Sequence, residues 1–259
     1  YYDGVLETYS IGMEGSKDLA NAKCVAEHLG TKHTQIVVTA EDFFSAIPEV
    51  IKNIASYDTT TVRESVGNYL LGKYIAEHSD AKVIFNGDGS DELTGGYLYF
   101  LEAPDDFEFD KECRRLLKDI HAFDVLRSDK CISSHGLEPR TPFLDRMWVQ
   151  FYLELPLSIR NPMSHYTISV DCEPGEKKNA EKHLLRKAFS VIEPSLLPTS
   201  IIWRTKEAFS DGVSGQDKSW FEIISDKLDS VETVRSEDNC PVKIYSINPP
   251  TTKEQTYYR

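Results

Sequence analysis

The chain has 259 residues, 40% of them hydrophobic and 11% aromatic, enough for one sizeable core or one core with a smaller subdomain and too few for two full domains. Its 42 acidic against 29 basic residues give a formal charge of -13, which repels phosphate backbones and anionic lipid, and no apolar run approaches the roughly 20 residues that span a bilayer. Nucleic acid and membrane partners are therefore not expected; the five cysteines, an odd set with no C-x-x-C pair, argue against a disulfide framework or a cysteine zinc site and fit a reducing cytosol.

The first ninety residues alternate short β-like runs with longer helical ones, the pattern of an α/β unit with a parallel sheet. Thr8-Tyr9-Ser10-Ile11 reads as a strand ending at Gly12. Ser16 then caps a helix carrying Leu19, Ala22, Val25, Ala26 and Leu29, stopped at Gly30. A second strand is predicted over 34–38, and Thr39 with Asp42 resembles a capping box opening a helix through Phe43, Phe44, Ile47 and Ile51. A further helix is predicted over 65–77 and a buried strand over 81–85, completing the order β-α-β-α-α-β. From Asp110 the helical period dominates, through Leu116, Leu117, Ile120 and Phe123 and again through Trp148, Phe151, Tyr152 and Leu155. The stretch from Arg160 to Lys178 reads as an exposed loop, and residues after Ser230 as irregular. The division predicted is 1–100 for the α/β part and 101–259 for a mostly helical part.

Three stretches carry residues suited to chemistry. Asn86-Gly87-Asp88-Gly89-Ser90-Asp91-Glu92-Leu93-Thr94-Gly95-Gly96-Tyr97 follows a predicted strand directly, where glycines let backbone N–H groups approach a ligand. Its carboxylates repel a bare nucleotide and make sense with Mg²⁺ between them and the phosphates. An acidic turn with Ser90 or Asp91 as helix cap is an equal alternative on local pattern. Tyr57-Asp58-Thr59-Thr60-Thr61-Val62-Arg63-Glu64-Ser65 sets hydroxyls and a guanidinium at a helix start, which suits an anionic substrate. By itself a capped helix with Arg63 paired to a nearby acid is the commoner arrangement. Trp203-Arg204-Thr205-Lys206-Glu207-Ala208-Phe209-Ser210-Asp211-Gly212 offers cations for a leaving pyrophosphate, an assignment that needs this segment beside the acidic loop, since exposed lysines are usually only solvated. Cys131 and His135 are not read as a nucleophile and base, for want of a third orienting group, and no histidine pair has metal-ligand spacing.

Taken together and in order, these strings resemble the C-terminal synthetase domain of the B-type, glutamine-hydrolysing asparagine synthetases. Tyr9-Ser10-Ile11-Gly12-Met13, 57–65, 83–100, His135-Gly136-Leu137-Glu138-Pro139-Arg140-Thr141-Pro142-Phe143-Leu144-Asp145, Glu181-Lys182-His183-Leu184-Leu185-Arg186, 203–212 and Thr252-Lys253-Glu254 carry the resemblance along nearly the whole chain. It implies an adenine-nucleotide α-hydrolase fold, a parallel sheet flanked by helices, that converts aspartate to β-aspartyl-AMP for attack by ammonia from a glutaminase domain. It also implies ATP and Mg²⁺ as cofactors, aspartate, ATP and ammonia or glutamine as substrates, and leaves a homodimer open. By residue, it implies Ile11, Asn86 and Gly87 at ATP, Asp91 at Mg²⁺ and pyrophosphate, and Asp88 at a position linked to the intermediate. Thr60 and Arg63 fall at aspartate, Lys206 at the phosphates, and Lys182 and Arg186 in the helical wall. A β-lactam synthetase or other acyl-adenylating relative, or a degenerate relative that binds nucleotide or a partner protein, are the alternatives.

Two departures stand out within the motifs: Asn86 replaces a family Ser, and Asp88 a family Glu. The stretch 171–178 reads as a surface insertion. The chain opens on Tyr1-Tyr2-Asp3-Gly4, and residues 1–259 contain neither a Ser-Gly-Gly-x-Asp-Ser pyrophosphate loop nor a glutaminase domain, so a fragment is expected. Loss of such a loop removes N–H donors worth roughly 3 kcal/mol each to a transition state. The isolated 259 residues are accordingly expected to make no asparagine; aspartate-dependent ATP–pyrophosphate exchange by them alone would overturn that expectation.

Overall fold

The computed structural model describes residues 3–164, 181–207, 212–215, 218–235 and 248–259. It is an α/β structure, dominated by helices, with small parallel sheets. Strand β1 (Glu7–Gly12) pairs in parallel with β2 (Lys32–Val37), with Ile11 opposite Ile36. The connection between them is α1 (Lys17–Leu29), whose ends are those read from the sequence. The Ser16 hydroxyl accepts from the Leu19 N–H at 3.2 Å, and Gly30 closes the helix at φ 67°.

The predicted capping box opens α2 (Ala40–Ile54): the Thr39 hydroxyl accepts from Asp42 N–H, and the Asp42 carboxylate accepts from Thr39 N–H. Helix α3 (Thr59–His78) begins six residues before the predicted start. The cause is Asp58, whose carboxylate accepts from both the backbone N–H and the hydroxyl of Thr61 at 2.8 Å, so the run of threonines enters the helix.

Strand β3 (Val83–Phe85) is shorter than expected and is not buried. It pairs in parallel with β4 (Glu138–Arg140), and only Ile84 joins a core cluster, while Val83 and Phe85 are 46% and 71% exposed. Three residues of strand alternate sides, so one side chain packs inward and its two neighbours face out. The parallel sheet is thus observed as two separate pairs. They share one apolar cluster, in which Tyr9 of β1 and Ile84 of β3 meet Leu71 and Ile75 of α3 and Ile132.

After β3 come the short α4 (Ser90–Thr94), α5 (Asp106–Asp119) and α6 (Asp124–Ser133). Beyond β4 follow α7 (Arg146–Glu154), α8 (Leu157–Arg160), α9 (His183–Ile192) and α10 (Thr199–Ile202). The expected loop over 160–178 lies mostly outside the described residues, as do the insertion at 171–178, Cys172, Cys240 and residues 208–211. The irregular tail is corrected in part. Helix α11 (Trp220–Arg235) continues past Ser230, and α12 (Lys253–Tyr257) is capped by Thr252, which accepts from Gln255 N–H at 3.1 Å.

The main core lies between α2 and the C-terminal helices. Phe43, Ile47 and Val50 of α2 are fully buried, and Trp220, Ile224 and Leu228, spaced by single helical turns on α11, close over them. Trp220 meets Phe43 edge to face at 5.3 Å, and Tyr257 stacks on Phe44 at the same distance. Among the described residues no helix is long and apolar enough to cross a membrane. Because Phe43 is fully enclosed, Phe43→Ala leaves a cavity under Trp220 and should cost about 3–5 kcal/mol of folding stability, measurable by urea denaturation.

Candidate active site

The segment after β3 turns sharply at Gly89 (φ 85°), where a Cβ would strike Leu144, and enters α4 with Gly89 itself as the helix cap. Neither Ser90 nor Asp91 caps the helix, so the alternative of a self-capped acidic turn does not hold. The Asp91 carboxylate instead lies between two ammonium groups, Lys182 at 2.8 Å and Lys206 at 3.2 Å. Burial alone would raise its pKa, but the two lysines outweigh it and hold the carboxyl below its usual range. Burial in turn lowers the pKa of Lys182, with Lys206 and Arg186 adding to the effect and Asp91 opposing it. Gly96 leaves the room for this contact, since a Cβ there would sit 2.0 Å from Asp91 Oδ1 and 2.3 Å from Lys182 Cε.

A pocket of about 420 Å³ opens beside the loop, lined in part by Glu64 and Asn68 of α3, Gly87, Asp88 and Asp91 of the loop, Asp124 and Arg127 of α6, Tyr97 and Lys206. Its lining carries four carboxylates against two cations. Such a wall repels a bare phosphate and suits one that arrives with a divalent cation. Burial pushes the Asp88 carboxyl up, the Ser128 hydroxyl and Arg127 opposing, and its enclosed Oδ2 has no hydrogen-bond partner among the described residues. Glu92, wholly buried, accepts a hydrogen bond from the Tyr97 hydroxyl. Burial and the nearby Asp124 charge push its carboxyl up to about 7.

Of the residues singled out from sequence, Gly87, Asp88, Asp91 and Lys206 line this pocket, and Lys182 reaches it through Asp91. Asn86 braces the loop, its Oδ1 accepting from Asp88 N–H at 3.2 Å. Arg186 is in the wall behind, bonded to Glu181 and to the carbonyls of Ile202 and Arg204. Ile11 is not part of the lining and belongs to the main core, 3% exposed. Thr60 and Arg63 are also outside the lining, although they share α3 with Glu64 and Asn68. Arg63 is bonded through Nε to Glu254 Oε1 at 2.7 Å and through Nη2 to the other carboxylate oxygen, with Phe221 beneath its guanidinium. The pairing of Arg63 with an acid is therefore seen, with a partner 191 residues away.

Asn68, Asp124 and Arg127 were not singled out from sequence. Asp124, Arg127 and Ser128 stand at i, i+3 and i+4, a spacing that puts a charged group and its counter-ion on one helix face and was the available signal. Cys131 is buried, and burial pushes its thiol up to about 11, so it is no nucleophile near neutrality.

Residues 1–108 and 102–238 match the family model described as asparagine synthase. The chain belongs to the asparagine synthase family. It is 46% identical over 255 residues to the asparagine synthetase (glutamine-hydrolysing) of Gallus gallus, 43% over 254 residues to that of Homo sapiens and 44% over 254 to that of Cricetulus griseus. In each case the match takes in 98% of this chain and 42% of the relative, so the chain spans about two-fifths of the length of these curated asparagine synthetases.

The Glu92 shift yields a stability prediction. A carboxyl whose pKa rises on folding stabilises the fold fully below its unfolded value, near 4.5, and that contribution disappears as pH rises through about 7. Glu92→Gln should therefore flatten the fall in melting temperature between pH 4.5 and 7.5 relative to the parent chain; parallel curves would show that Glu92 ionises normally.

Proposed function

We propose that the pocket activates the side-chain carboxylate of aspartate with ATP and passes it to ammonia, giving asparagine. In the first step an aspartate carboxylate oxygen attacks the α-phosphorus, the bond to the bridging oxygen breaks, and pyrophosphate leaves. In the second, ammonia attacks the acyl carbon of β-aspartyl-AMP, AMP leaves and a proton is released. The observation that carries this reading is the meeting of Lys206 with Asp91, 115 residues apart, at the edge of a glycine-rich loop after a parallel strand. That arrangement sets a cation where negative charge grows on a departing pyrophosphate.

Asp91 and Asp88 fit Mg²⁺, a hard cation usually held by one or two carboxylates with phosphate and water completing its shell. Among the described residues no group of three or more His, Cys, Asp or Glu is placed to hold a metal. Bound there, the ion would neutralise phosphate charge; Lys182 and Lys206 hold Asp91 until then. Asn86 and Gly87 fall to the nucleotide, with Gly87 open to approach, since a Cβ there would meet nothing within 4 Å. Ile11, buried at the end of β1, would reach adenine only by its backbone or its rim.

Thr60 and Arg63 fall to aspartate, and Arg63 would offer the Nη1 side of its guanidinium, away from the edge that Glu254 engages. The shared cluster beneath β1 and β3 supports reading the two parallel pairs as parts of one sheet of the adenine-nucleotide α-hydrolase kind. The names of the relatives, which are glutamine-hydrolysing, support glutamine as the source of the ammonia.

In the protein as its own gene encodes it, AMP and pyrophosphate release should require aspartate. Lys206→Met should lower kcat by about 10²- to 10³-fold, the scale for removal of one transition-state charge partner. Release of ADP in place of AMP, or AMP release indifferent to aspartate, would sink the reading.

A further inference from the structure

The two ammonium groups at Asp91 come from separate segments: Lys182 stands directly before α9, and Lys206 lies beyond the end of α10. One side chain joins the two segments. Arg186, 13% exposed at its side chain, donates through Nε to the Glu181 carbonyl at 2.8 Å and through Nη2 to the Glu181 carboxylate. Its Nη1 donates to the carbonyls of Ile202 and Arg204, the latter at 2.9 Å. Between Glu181 and α9 the backbone passes through Lys182 in the left-handed region, at φ 58° and ψ 26°. A lysine meets steric resistance there that a glycine does not, and such a conformation persists where its surroundings over-determine it. They do so on both sides: Arg186 holds the Glu181 carbonyl, Arg186 N–H donates to the Lys182 carbonyl at 3.0 Å, and the Lys182 ammonium reaches Ser90 Oγ at 3.1 Å as well as Asp91. Packing of the two segments has its own contact, Trp203, 4% exposed, against the His183 ring at 5.4 Å, and a buried ion pair such as Glu181–Arg186 is a weak source of stability.

We propose that Arg186 is a positioning residue for both lysines of the site. Its fork fixes the carbonyl before Lys182 and the carbonyl two residues before Lys206, and so delivers one ammonium to each oxygen of the Asp91 carboxylate, Lys182 to Oδ1 and Lys206 to Oδ2. The planar fork matters here, because Arg186→Lys keeps the charge but leaves a point charge that does not span several acceptors in fixed directions. The proposal rests on the functional reading above, in which Lys206 faces the departing pyrophosphate.

The test is a double-mutant cycle in the protein as its own gene encodes it, using Arg186→Lys, Lys206→Met and the pair, with kcat and KM for aspartate measured from AMP release at saturating MgATP. Arg186→Lys alone should lower kcat about tenfold, the scale of a misplaced group, while KM for aspartate stays within about twofold. In the Lys206→Met background it should cost no more than about threefold, because one of the two groups it positions is already gone. Losses that multiply, or a loss confined to KM, overturn the proposal. Glu181→Gln in place of Arg186→Lys runs the same cycle if the lysine variant does not fold. If the parent protein forms no AMP from aspartate and MgATP, the functional reading falls, and urea unfolding of the same four proteins then decides the proposal by itself. Two cations form no bond with each other and Arg186→Lys keeps the charge, so non-additive losses of stability support the proposal and additive losses overturn it.

Discussion

The structure depends on one electrostatic constraint: Asp88, Asp91 and Glu92 are drawn out of water within a single short turn, and their charge has to be balanced locally. An isolated buried carboxylate is too costly to keep ionised, so each is either paired with a cation or shifted toward its neutral form. Asp91 takes the first course through Lys182 and Lys206. Glu92 takes the second, its carboxyl pushed up to about 7 beneath the Tyr97 hydroxyl. The cations come from segments far along the chain, so the acidic loop is stable in this form only when the C-terminal half has docked.

That docking has several other bonds of long sequence range. Met13 N–H donates to the Val213 carbonyl at 2.7 Å, and the Ser16 hydroxyl, while capping α1, donates to the Gly212 carbonyl at 2.9 Å. Arg63 ties α3 to α12 through Glu254, which also accepts from the Tyr258 hydroxyl at 2.7 Å. The apolar contacts of Trp220 and Tyr257 with α2 lie on the same side. Helix α3 is thus held near its N-terminal end from two directions, by the C-terminal segment at Arg63 and by Arg127 at Glu64, and its Glu64 and Asn68 form a wall of the pocket. The same C-terminal segment thus helps both to place the site and to close the main core.

What could be read in the sequence follows how local the governing physics is. Caps and glycine stops are decided within four residues, so Ser16, Gly30 and the Thr39–Asp42 box were legible. The start of α3 was not, because three β-branched threonines argue against a helix until Asp58 is seen to bond Thr61. The exposure of β3 was not legible either, since a short apolar run such as Val83-Ile84-Phe85 reads alike in a covered and an open strand. In the site, the glycine-rich loop and Lys206 were found by residue type. Their meeting spans 115 residues and follows from no pattern along the chain. Asp124 and Arg127 were missed because an i, i+3 ion pair on a helix is ordinarily a surface feature; only the fold turns it inward.

The two replacements within the loop can be weighed in the same terms. Where the resemblance implies a family Ser, Asn86 presents a side-chain oxygen that accepts from the N–H two residues on. Asn and Ser both make this short bond, so the exchange preserves the turn that carries Asp88 into the pocket. The expected replacement of a family Glu by Asp88, implied by the resemblance, is different in kind, for it withdraws the carboxylate by one methylene toward the protein. The carboxylate still lines the pocket from there. A shorter side chain has fewer rotamers to fix, so what Asp88 loses in reach it recovers in definition.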